Sequence, residues 1–463
     1  MDANLKENDI SENSKAYVLY SYRWVIFISM AFTSFINGMI FTLFTSTATK
    51  CSEAYSIDMF IFSINNFMIM LMYPVSNLLI SERIHKKYGI KVCICIGMIF
   101  LIICVWLRAF INSPLNKYFI LITASGFFAG IAQPFLMNSY SEIGFNWFSA
   151  NERVVITAIF AIIGPIGGAA GLAYPLLIIG DFENMDDQLF KTKYELALFI
   201  YAIFATIFFI VNIILLRTKP VSFPTKSAEQ SLTENSNNSE LNCSALFKNC
   251  NFIIEAVIFS IFYGTILTNS IVVQMILFQF GLSPSESTNV GIIFTSSGLV
   301  SAFIISFVLA KTFLYKLFTI LVSLCATLGF SAIVFCSYFN WIYGAYIAAF
   351  FFGIGILPIL SICYQFGCEI AFPISANLVS GFQLSFSQAY SFLMTLAVTL
   401  IVPSKDEPAS LTKGIISTSL IVAGMIIGIF LSFIVKEELN RLKLDKEKML
   451  NNSKPNLEKS LLN

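Results

Sequence analysis

Charge is scarce in this chain. Of its 463 residues only 12% are Asp, Glu, Lys or Arg, while 57% are hydrophobic, too few polar groups to cover a folded core in water. Histidine is scarcer still: His85 stands alone, in the basic run Arg83-Ile-His-Lys-Lys87. A single His in such a run offers no metal or acid–base cluster and is expected to be solvated or to meet lipid headgroups. The sequence also lacks a Walker-type phosphate loop, which excludes ATP-driven pumping by this chain alone. Its ten cysteines, among them Cys51, Cys93, Cys95, Cys104, Cys363 and Cys368, show no paired CxxC spacing, so neither a zinc site nor a secreted disulfide framework is expected, only small packing residues. Residues 1 to 20 are too polar for a cleaved secretory signal. The net charge of +1 gives no reason to expect a nucleic-acid partner. No metal and no cofactor are expected, and catalysis is not, since no set of reactive groups converges.

What the chain has in abundance is apolar sequence in long runs, rich in its 48 phenylalanines. A membrane span needs about 20 apolar residues, because the hydrocarbon core is roughly 30 Å thick and a helix rises about 1.5 Å per residue. Twelve stretches qualify, which predicts an all-α membrane protein. The expected division is a tail at 1–23, a six-helix bundle at 24–216, a polar linker at 217–250, a second six-helix bundle at 251–436 and a tail at 437–463. The linker contains Thr233-Glu-Asn-Ser-Asn-Asn-Ser-Glu240, which lacks the apolar content to fold.

If both termini are cytoplasmic, 21 of the 28 basic residues lie on the cytoplasmic side, leaving Lys50, Arg108, Lys117, Lys191, Lys193, Lys405 and Lys413 outside. That asymmetry is the positive-inside bias. It places no Lys or Arg deep in a span. Glu195, Glu255 and Glu369 fall near predicted span ends and are expected to be interfacial. Without a buried base an anionic cargo is disfavoured, so a neutral or cationic one is expected, held by amide, hydroxyl and aromatic groups. Without a placed carboxylate, facilitated diffusion is expected. The uncharged polar residues of the spans are the binding candidates, each equally open to a reading as interhelical glue: Asn37 with Phe41 on one face of the first span, Asn65 and Asn66, Gln133 and Asn138, Asn269 and Gln274, Tyr364 and Gln365, Gln383 and Gln388. The run Gly164-Pro-Ile-Gly-Gly-Ala-Ala-Gly171 predicts close helix packing rather than a phosphate cradle.

Two six-helix halves joined by a polar linker are how transporters of the major facilitator type look in sequence. Short motifs sharpen this. Tyr22-Arg-Trp-Val25, Ser34-Phe-Ile-Asn-Gly38, Ile131-Ala-Gln-Pro-Phe135, Asn146-Trp-Phe148 with Glu152-Arg153, Gln274-Met-Ile276, Gly353 to Pro358, Glu369-Ile-Ala-Phe-Pro373 and Ser380-Gly381 to Gln388 together resemble the feline leukaemia virus subgroup C receptor (FLVCR) family, over nearly all of residues 20–436. That resemblance implies the major facilitator fold and transport of choline and ethanolamine, with haem as other cargo, while the departures from the family's cage at Phe41 and near Asn269 leave vitamin-like or sugar-like cargo open. It implies a substrate cage, onto which Gln133 and Gln388 map directly; Phe41 stands where the family has Trp, and Tyr263 lies about a turn from the family's Tyr, near Asn269. The substrate set is thus Asn37, Phe41, Gln133, Asn138, Tyr263, Asn269, Gln365 and Gln388. A gating role is implied for Lys86, Gly89 and Lys91 in the loop between the second and third spans, where Lys86 replaces the usual Asp, and for Glu152 and Arg153. The expected partners are a small molecule and the lipid bilayer, the expected state a monomer, and the expected location the plasma membrane. A membrane receptor that has lost transport is the alternative, and a cavity filled with apolar side chains would mark it.

Overall fold

The computed structural model describes residues 19–44, 47–57, 59–180, 182, 185–217, 241–402 and 410–444; most of the expected tails and linker lie outside these. Among the described residues, twelve helices are long and apolar enough to cross a membrane: α1 Arg23–Thr42, α2 Ile64–Tyr88, α3 Ile90–Ala109, α4 Ile120–Trp147, α5 Ala150–Ile179, α6 Asp187–Leu215, α7 Cys250–Phe278, α8 Pro284–Thr312, α9 Tyr315–Tyr338, α10 Ile342–Ile370, α11 Ala376–Ile401 and α12 Leu411–Ile434. No strand occurs among the described residues. Leu, Ile and Phe face outward along most helices, among them Ile207, Ile214, Phe303, Leu328, Leu400 and Phe430, as lipid contact demands.

Two large apolar cores form among the described residues, one within α1–α6 and one centred on α7–α12, beside a small cluster of Cys93, Ile131 and Phe135. The halves meet chiefly where α2 packs on α11 and α5 on α8. We call the side carrying the 217–250 connection the linker end, and the opposite side the far end.

Small residues set the closest approaches. A methyl on Gly38 of α1 would run into the Gly164 carbonyl and the Gly168 nitrogen of α5, and one on Gly167 into the Phe35 backbone, so the glycine run of α5 serves helix contact. Three local devices interrupt the regular α-helix. Pro74 in α2 precedes a π-helical turn, Asn77–Ser81, which rotates Asn77 toward α11. Pro358 begins the second segment of α10, after a break at Leu357, the position where proline costs least. Gly89 takes φ 80° between α2 and α3, a value that L side chains rarely adopt. Ser149 with Glu152, and Ser283 with Glu286, form capping boxes at the starts of α5 and α8.

Candidate functional site

Midway along the spans lies a cavity of ≈ 350 Å³ between the halves. α1 contributes Ser34, Asn37, Gly38 and Phe41; α4 contributes Gln133, Met137 and Tyr140; α5 contributes Phe160 and the glycine run. From the other half come Tyr263, Asn269 and Gln274 on α7, Phe294 on α8, Leu357 and Tyr364 on α10 and Gln388 on α11. No Asp, Glu, Lys, Arg or His occurs among these lining residues.

Two properties define its chemistry. The first is aromatic walls on both sides: Tyr140 stacks on Phe160 with centroids 5.0 Å apart, while Phe259 joins Tyr263 at 5.2 Å to Tyr364 at 5.5 Å. The second is unused hydrogen-bonding capacity. Asn37 Oδ1, Gln133 Oε1, Gln388 Oε1, both side-chain polar atoms of Asn269, and the Tyr364 hydroxyl are buried without a hydrogen-bond partner. Orphaned polar atoms in a native interior are costly and call for a bound partner or a functional reason.

The cavity is sealed at the linker end. Asn77 Nδ2 on α2 donates to Gly381 O and Ser385 Oγ of α11, at 2.9 and 2.8 Å. Asn138 Nδ2 donates to Asn77 Oδ1 at 2.8 Å, the Tyr73 hydroxyl donates to Asn138 Oδ1 at 2.6 Å, and Ser380 Oγ donates to Asn138 O at 3.3 Å. Closer to the end, Gln365 Nε2 donates to Thr157 Oγ1 at 2.7 Å, Asn377 Nδ2 to Glu82 Oε2 at 3.4 Å, and Arg153 Nη2 to Glu369 Oε1 at 3.5 Å. The cavity lining instead reaches toward the far end, through Thr42, Leu172, Gln274 and Ser287.

Of the expected substrate set, Asn37, Phe41, Gln133, Tyr263, Asn269 and Gln388 line the cavity. Asn138 and Gln365 do not; their polar groups are consumed by the seal. Among the expected gating residues, Arg153 reaches the other half, and Glu152 binds Arg23 at 3.0 Å within its own half. Lys86 faces Glu82 one turn away at 3.5 Å, Gly89 is the helix break, and Lys91 is half-buried on α3.

Three expectations need correction. Buried bases exist: Arg108, Arg153 and Arg441 are almost fully enclosed, although none lines the cavity. Glu255 and Glu369 are buried rather than interfacial; Glu255 accepts from Gln383 Nε2 at 2.8 and 3.0 Å. His85 is not solvated but lies 2.7 Å from Glu142 on α4. In each case packing supplied polar partners from other spans, which hydropathy along one span does not register. The sequence reading passed over Tyr140 and Phe160 entirely, since aromatic residues are indistinguishable from lipid-facing ones in so apolar a chain. Among the described residues no group of three His, Cys, Asp or Glu is arranged to hold a metal.

Two six-helix halves around a central cavity, sealed at one end, are the arrangement of a membrane transporter. The Major Facilitator Superfamily matches over residues 30–395, and the chain belongs to that family as a multi-pass membrane transporter. It is similar to the human choline/ethanolamine transporter FLVCR2, with 22% identity over 439 residues, 93% of this chain and 80% of that protein. Choline/ethanolamine transporter flvcr2b of zebrafish (Danio rerio) is 21% identical over 91% of this chain and 85% of its own length, and FLVCR1 of the cat (Felis catus) is 23% identical over 67% and 55%. Among solved structures, the proton:xylose symporter XylE superposes with a TM-score of 0.69 at 13% identity, covering 91% of this chain and 98% of its own. The E. coli fucose:proton symporter FucP gives 0.62 at 12% identity, covering 89% and 99%. These last two likenesses show the fold.

Proposed function

We propose that this chain carries a small cationic or neutral metabolite of the choline or ethanolamine kind across the membrane by alternating access, as facilitated diffusion. The observation that carries the reading is the uncharged central cavity, walled by aromatic rings and edged by unpartnered amide oxygens. An ammonium head gains about 0.5–2 kcal/mol over each ring face; a charged N–H given to an amide oxygen adds about 1.5–3 kcal/mol and a neutral O–H about 0.5–1.5 kcal/mol. Asn37, Phe41, Gln133, Tyr263, Asn269 and Gln388 form the binding set. With no carboxylate on the lining, the cargo supplies its own charge and no proton is needed to balance it. The similarity to choline/ethanolamine transporters supports the same cargo class. The charge asymmetry of the loops favours a cytoplasmic linker end with both termini inside, so the sealed conformation faces outward. A monomer in the plasma membrane completes the reading, because two halves already enclose the whole site.

The test is uptake of labelled choline and ethanolamine by cells expressing the protein, with Gln133→Ala and Gln388→Ala and with external pH varied. Saturable uptake, insensitive to pH, with KM raised about tenfold or more in each variant, is the expected result. Uptake no higher than in cells without the protein would overturn the cargo assignment.

A further inference from the structure

After α12 the chain does not leave the protein. Asn251 of α7 holds it at once: Asn251 Nδ2 donates to Lys436 O at 2.9 Å, and Lys436 N donates back to Asn251 Oδ1 at 2.8 Å. A helical turn follows that includes Arg441, and there Arg441, with 3% of its surface exposed, enters the sealed linker end. Its Nε donates to Glu369 Oε1 at 3.2 Å and its Nη2 to Gln365 Oε1 at 3.3 Å, while the Leu442 amide donates to Glu369 Oε2 at 2.9 Å. The same guanidinium lies 4.7 Å over the Phe145 ring of α4, in the other half.

Glu369 and Gln365, both on α10, also hydrogen-bond α5, through Arg153 and Thr157. A residue outside the twelve spans therefore grips the C-half members of both α5–α10 bridges at the linker end, and touches the N-half itself. We propose that Arg441 is a positioning residue of the transport cycle, which makes the segment 436–444 a latch that holds the linker end shut.

The sign follows from what each state retains. The segment is tied to the C-half by Asn251 and Glu369, so separating the halves leaves those bonds in place. Around this segment, what separation breaks is the Phe145 contact and the two bridges to α5. Arg441 pre-sets the rotamers of Glu369 and Gln365 for those bridges, so closing does not have to order them anew. Burial by itself would lower the Arg441 pKa, yet the adjoining Glu369 carboxylate outweighs it and raises the pKa above the ordinary guanidinium value, so the latch keeps its charge. Losing Arg441 should therefore favour the state open at the linker end.

The inference rests on the alternating-access reading but not on the identity of the cargo, and hydrogen–deuterium exchange of the full chain in lipid nanodiscs tests it without substrate. In Arg441→Ala, exchange across 142–157 and 365–378 should rise about tenfold or more, the weight of one charged hydrogen bond, while exchange at the far end, across 37–44 and 266–278, slows. Arg441→Lys, which keeps charge but not the fork, should fall between. Unchanged exchange at the linker end, or a rise shared equally by both ends, would overturn the proposal. The unmodified protein offers a second measurement should the variants fail to fold: the 440–444 amides, Leu442 included, should exchange in step with 365–378, and exchange at the rate of an unstructured peptide would equally overturn it. Absence of choline uptake alongside these results would sink the cargo assignment alone.

Discussion

Arg108 is a buried guanidinium on α3 whose hydrogen bonds go to neutral groups. It donates to the Ile40 carbonyl, to Ser125 Oγ at 3.1 Å and to Asn65 Oδ1 at 3.5 Å, with its charge 4.9 Å over the Phe44 ring. Ile40 belongs to the last turn of α1, where the Leu43 amide serves the Met39 carbonyl and the carbonyls beyond it are left without a partner within the helix. Arg108 therefore caps the C-terminus of α1, where a cation also meets the negative end of the helix dipole. Substituting Arg108→Leu removes the charge and its desolvation cost but leaves the Ile40 carbonyl buried and unpaired. An orphaned carbonyl costs about 1–3 kcal/mol and the lost dipole interaction about 0.3–2 kcal/mol; with the relieved desolvation subtracted, a net loss of about 1–4 kcal/mol is expected. Arg108→Lys should recover part of it, since one ammonium cannot reach three acceptors on three helices in a fork. Because α1 carries Asn37 and Phe41, the loosened helix end should also raise the KM for cargo while kcat changes less. Thermal unfolding of the purified protein in detergent, paired with uptake kinetics, reads both effects. If Arg108→Leu melts at or above the unsubstituted protein, the capping argument is wrong and the charge is a net burden.

Gly38→Ala should cost about 1–3 kcal/mol, because the added methyl meets backbone atoms of α5 rather than a side chain that can move; a melting temperature equal to the unsubstituted protein would refute the close-contact reading. Glu255 has no Lys, Arg or His hydrogen-bonded to it among the described residues, and Gln383 Nε2 also donates to the Cys363 carbonyl at 2.9 Å. Glu255→Gln keeps an acceptor for that amide and removes a buried acid, so its melting temperature should match or exceed the original. Glu255→Ala, which leaves Gln383 short of a partner, should lose about 1–3 kcal/mol. The reverse order in melting curves would mean that the carboxylate charge itself is needed.

Twelve helices and their division into two halves were legible in the sequence because lipid imposes a length and a composition on each span separately, and a one-dimensional window reads both. The glycine run of α5 was equally legible, since only small residues permit close helix contact. Two central glutamines, Gln133 and Gln388, stood out as uncharged polar residues within spans and by resemblance, and Asn37 and Phe41 by their spacing of four. What the windows could not decide was which polar group met which. Asn138 and Gln365 look no different in sequence from Asn37 and Gln133, yet two belong to the seal and two to the cavity. Glu369 and Arg441 lie 72 residues apart and meet only because the chain turns back after α12. Burial of Arg108 and Glu255 likewise depends on carbonyls and amides lent by neighbouring spans. Local chemistry determined that this chain crosses the membrane twelve times; the pairing of its few polar groups, a property of contacts between helices, was left to the tertiary structure.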